Sequence, residues 1–115
     1  MTAEELFDRE AVIASADAIG RDALEGVLNV LAETCLEECE QVRAHLETGN
    51  HNEVRRLAHG IAGAAGNCSA TKLQKLARQV EQSENPNAKQ IDALRSAAEE
   101  SSAWVRSDLA RLLNG

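Results

Sequence analysis

Aromatic residues are almost missing from this chain: it has Phe7, Trp104 and no tyrosine. Proline occurs once, at Pro86. Sandwiches and barrels draw on β-branched and aromatic residues in alternation with polar ones, and no such run appears, so an all-β fold is excluded. No apolar segment approaches the roughly 20 residues of a membrane-spanning helix, and no charged-then-apolar leader opens the chain. A basic run is also lacking. Nineteen acidic residues against twelve basic ones leave a net charge of -7, which repels nucleic-acid phosphates and anionic headgroups. The expected protein therefore binds neither nucleic acid nor membrane. Cysteines number three, an odd count without a C-x-x-C pair, which favours a reducing, cytoplasmic setting over a disulfide framework.

What remains is rich in Ala, Leu and Val at helical spacing. The 115 residues fit one domain, 1–115. Five helices are expected. The first is short, 8–15, with Asp8 as N-cap. The second, 22–48, opens on a capping box of Asp22 and Glu25 and carries the stripe Leu24, Leu28, Leu31, Cys35, Cys39, Val42 and Leu46. Gly49 suits the left-handed turn that ends it. Asn50 with Glu53 caps the third, 50–68, and Thr71 with Gln74 the fourth, 71–83. A loop, 84–90, holds Pro86 and a possible cap at Asn87. The fifth carries Ile91, Leu94, Ala98, Val105, Leu109 and Leu112. Short connections favour antiparallel neighbours. The expected fold is all-α: an antiparallel up-down four-helix bundle with the short N-terminal helix capping one end. Cys35 and Cys39 read as small core residues. A metal site with His45 is set aside, because no histidine has Glu three residues before it.

The stretch "RRLAHGIAGAAGNCSA" (55–70) stands out. Three glycines, Gly60, Gly63 and Gly66, sit in a helix around His59, and each costs roughly 1 kcal/mol against alanine. With His59 set at zero and roughly 100° per residue, Val54, Leu57, Ile61, Ala64, Ala65 and Cys68 form one apolar face opposite it. Asn52, Arg55, Arg56, Ala62, Gly63 and Gly66 fall on the His59 side. The projection points His59 at solvent, with Gly63 and Gly66 clearing ground for a partner protein and Gly60 permitting close helix packing.

The segment "AHGIAGAAGNCSATKLQKLARQVE" (58–81) resembles the signature of histidine-containing phosphotransfer (HPt) domains, Ala-His-x-Leu-Lys-Gly followed by small residues and leucines closing on Leu-Glu. Ala58, His59, Ile61, Gly63, Gly66, Ala70, Leu73, Leu76, Val80 and Glu81 fit in register. The resemblance implies that His59 exchanges a phosphoryl group through Nε2 with the aspartyl phosphate of a receiver domain, in a response regulator or a hybrid sensor histidine kinase. Glu81, in the closing motif, is the candidate acceptor for Nδ1–H. No cofactor or metal is expected on this chain; the Mg²⁺ of the transfer belongs to the receiver. The chain is then a phosphotransfer intermediate, not an enzyme, and a monomer, since its bundle is complete. Two positions depart from the family pattern: Ala62 stands where a lysine is common, and Ser69 replaces a frequent glycine. Arg55, Arg56 and Arg78 are the candidate substitutes for the missing cation.

Two other readings compete. A bundle of this kind can bind a receiver or kinase without phosphoryl chemistry. "TKLQKLARQ" (71–79) can also be read as a DNA-recognition helix, but the net charge opposes it.

Overall fold

The computed structural model describes residues 5–114. Five helices follow one another: α1 (Arg9–Ile19), α2 (Arg21–Glu47), α3 (His51–Asn67), α4 (Thr71–Gln82) and α5 (Ala88–Asn114). No strand occurs among the described residues. The fold is a helical bundle in which α3 packs on α2 and α4, and α5 packs on the same two helices. The short α1 rests on α2 and α5.

Helix ends follow the sequence unevenly. Asp8 Oδ1 accepts from the Ala11 N–H at 3.2 Å, and Asn50 Oδ1 from the Glu53 N–H at 3.3 Å, as their side chains predict. Gly49 has φ +75°, the left-handed turn expected of it. At Asn87 and Gln90 a reciprocal box forms: Asn87 Oδ1 accepts from the Gln90 N–H, and Gln90 Oε1 from the Asn87 N–H. Helix α1 runs four residues beyond its expected end, to Ile19, and stops at Gly20, φ +93°.

Two expected capping boxes are absent outright, and the third forms only its Asn50 half. The N-cap of α2 is Gly20, with no side-chain bond, so Asp22 and Glu25 form no box. The N-cap of α4 is Ala70. Thr71 Oγ1 instead donates to the Glu5 carbonyl at 3.3 Å, and the Asp8 N–H donates to the Ser69 carbonyl at 2.9 Å. These bonds lay residues 5–8 across the α3–α4 turn. Phe7 is thereby buried, and its ring stacks on Trp104 at 4.5 Å between centroids. The only two aromatic residues thus form one pair, an arrangement worth about 0.5–1.5 kcal/mol beyond their burial.

The stripe Leu24, Leu28, Leu31, Cys35, Cys39 and Val42 is buried, with Leu46 packed at its edge. Burial pushes the Cys35 thiol up to about 12 and the Cys39 thiol to about 11. Both are therefore neutral at physiological pH and serve as small apolar core residues. Among the described residues no helix is long and apolar enough to cross a membrane.

Candidate functional site

His59 is the ninth of seventeen residues in α3, with its side chain 72% exposed. Its ring does not stand alone. Nδ1 lies 2.5 Å from Glu81 Oε2 on α4. A carboxylate can only accept, so the proton sits on Nδ1 and the Nε2 lone pair is left free. Glu81 reaches this point because α4 buries Leu73, Ala77 and Val80. That burial sets Glu81 on the flank turned toward α3. Its other oxygen, Oε1, lies 3.6 Å from Arg78 Nη1. The three side chains form a chain of contacts: Arg78, Glu81, His59.

The other arginines on the His59 side are committed elsewhere. Arg55 Nη1 donates to the carbonyls of Ser83 (3.4 Å) and Glu84 (3.1 Å), and Nη2 to Asn52 Oδ1 (2.7 Å). Ser83 is the C-cap of α4, so Arg55 satisfies carbonyls that the helix end leaves without partners. Arg56 clasps Glu53, with Nε and Nη2 on its two oxygens at 2.7–3.0 Å. That hydrogen bond holds the Glu53 carboxyl below the usual carboxylate range and raises Arg56 above its own. Glu53 therefore faces Arg56 rather than closing a capping box.

The projection of α3 needs correction on three points. Ala62, placed on the His59 surface, is fully buried, as is Ala58. Helix α3 packs on α4 as well as α2, so its buried arc is wider than one face and takes in the flank of Ala58, Ala62 and Ala65. Ala64, placed in the core, is exposed, and Cys68 is half-buried. The glycine roles also change. A Cβ on Gly60 or Gly63 would meet nothing within 4 Å, whereas one on Gly66 would lie 2.6 Å from Gln74 Nε2. Gly66 admits the end of the Gln74 side chain. Gly63 leaves bare ground beside His59, and Gly60 is open rather than packed. Gly60→Ala is expected to stabilise the fold by about 1 kcal/mol, since it gains helix propensity without a clash; urea denaturation measures this. Ser69, the departure from the family glycine, adopts φ +61°, the left-handed turn in which glycine is commonly found after a helix.

A groove that the sequence did not reveal runs between α2 and the C-terminal part of α3. Val27, Val30, Leu31, Ala64 and Cys68 line it, with Glu38 and Asn67, around a volume of about 340 Å³. Val30 is 62% exposed and Val27 46%, so two apolar side chains of the groove wall face solvent. The signal available was Ala64 lying one residue beyond Gly63, but only the packing of α2 against α3 makes a groove of it.

Compared with known families, residues 26–104 match the model of the Hpt domain. No curated protein and no solved structure matches the chain.

Proposed function

Because the chain belongs to the Hpt domain family, we propose that it relays phosphoryl groups between receiver domains in a multistep phosphorelay, with His59 as the residue that carries them. The observation that supports this most directly is the His59 Nδ1–Glu81 Oε2 contact at 2.5 Å on an exposed ring. The Nε2 lone pair attacks the phosphorus of an aspartyl phosphate. The acyl phosphate P–O bond breaks, and the receiver's carboxylate leaves with the electron pair. Positive charge develops on the imidazole as the N–P bond forms, and Glu81, on Nδ1–H, stabilises it. The Mg²⁺ of the transfer would be held by the receiver. The reverse sequence returns the group to a second receiver. Neither direction needs turnover by this chain alone.

In this reading the four long helices run up and down antiparallel, as their short connections favour, and one copy of the chain carries the complete site. Gly63 keeps the ground beside the ring low enough for a receiver to bring its aspartate within reach. The Val27–Val30 groove takes an apolar face of the same receiver, whether on a response regulator or a hybrid sensor kinase. The transfer itself is tested by incubating the chain with a receiver carrying labelled aspartyl phosphate. The label should move to the chain and be acid-labile and base-stable; a receiver that keeps its label would count against the proposal. Docking is tested by Val30→Glu. It changes an exposed side chain, so stability should stay within about 0.5 kcal/mol, while receiver binding weakens about 5- to 30-fold. Unchanged affinity in a titration would place docking elsewhere.

A further inference from the structure

Two contacts fix the register of α4 against α3. Gln74 lies over Gly66, and Glu81 meets His59. Gln74 and Glu81 are seven residues apart on α4, Gly66 and His59 are seven apart on α3, and the numbering runs in opposite directions along the two helices. Arg78, between Gln74 and Glu81 on the same ridge of α4, therefore faces the α3 segment between Gly66 and His59. That segment presents Gly63, with open space above it, and Ala62, which is fully buried and shows no surface at all.

A phosphoryl group on His59 Nε2 carries two negative charges, and the carboxylate of Glu81 lies just behind the ring. Repulsion would oppose the transfer unless a cation stood close. Arg55 is held by two carbonyls and Asn52, and Arg56 is clasped by Glu53. Among the described residues Arg78 has only a loose contact, 3.6 Å to Glu81 Oε1, and is 48% exposed. Such an ion pair is weak enough to exchange for a stronger one. We propose that Arg78 is the cation that meets the phosphoryl group on His59, turning from Glu81 Oε1 to the phosphoryl oxygens as the group arrives. The positive charge that α3 cannot present at position 62 comes from α4 instead. This inference rests on the phosphotransfer reading of His59.

The test uses phosphoramidate, a small donor that needs no partner protein. Nε2 attacks its phosphorus, the donor N–P bond breaks, and ammonia leaves with the electron pair. The rate of phosphohistidine formation is followed by ³¹P NMR. Arg78→Ala should slow it about three- to tenfold, while Arg78→Lys recovers most of the rate. Arg106→Ala, on α5, should leave it unchanged. The same loss should persist when Arg78→Ala is made in a Glu81→Gln background, because Arg78 acts on the phosphoryl group itself. If the loss vanishes in that background, Arg78 works only by holding Glu81, and the inference is overturned. Equal rates for Arg78→Ala and the parent also overturn it, leaving the His59 reading intact. If the parent forms no phosphohistidine with phosphoramidate or with a phosphorylated receiver, both fall.

Discussion

His59→Gln should abolish phosphoryl labelling altogether while leaving the bundle folded. The substitution removes the only ring nitrogen that the site offers as a nucleophile. Glutamine is polar, suits an exposed helix position and leaves the buried flank of Ala58, Ala62 and Ala65 untouched. Its effect on stability should stay within about 0.5 kcal/mol, so the circular dichroism spectrum and urea midpoint should match the parent. Receiver binding should survive, because Gly63 and the Val27–Val30 groove are unchanged. A mutant labelled at the parental level would show that the phosphoryl group resides elsewhere. The same mutant separates transfer from a purely adhesive bundle, in which neither parent nor mutant would take label.

The second large effect is expected at Glu81. In Glu81→Ala the imidazole loses the acceptor that fixes its tautomer and balances the charge developing on the ring. A hydrogen bond to a charged group is worth about 1.5–3 kcal/mol. His59 is mostly exposed, so water replaces part of that bond and the lower end applies. Transfer from a phosphorylated receiver should slow about tenfold. Glu81→Gln keeps an acceptor oxygen but not the charge, and should fall between. Parental rates in Glu81→Ala, measured in single-turnover transfer, would reduce the contact to a surface ion pair without a role in the chemistry.

The helices were legible because their apolar periods are long and their ends carry strong signals, Asp8, Gly49 and Asn50 among them. The exposure of His59 followed from the same period. The resemblance pointed to Glu81, and the fold brings it against the ring. Legibility failed where a residue's surroundings come from another helix. A single-helix projection assumes one buried face, whereas α3 is flanked by α2 and α4, so Ala62 goes inside and Ala64 outside. The spacing of Ala58, Ala62 and Ala65, at i, i+4 and i+7, was the available hint, since small residues on one ridge let a neighbour approach closely. Nothing near Gly66 in sequence announces Gln74. Arg55 likewise finds its carbonyl partners 28 and 29 residues away, beyond any local pattern. Thr71 and Gln74 have the right types for a capping box, but Glu5 and Gly66 offer their side chains other places.

Transfer depends on one atom, His59 Nε2, with its ring held by Glu81. The most direct test is a long-range ¹H–¹⁵N spectrum of the histidine rings, with ³¹P coupling, recorded after transfer from a phosphorylated receiver. Phosphorus coupled to Nε2 of His59, with the proton on Nδ1, is the predicted result. Phosphorus on Nδ1, or acid-stable phosphate on Ser69 or Thr71 with His59 unchanged, would contradict it.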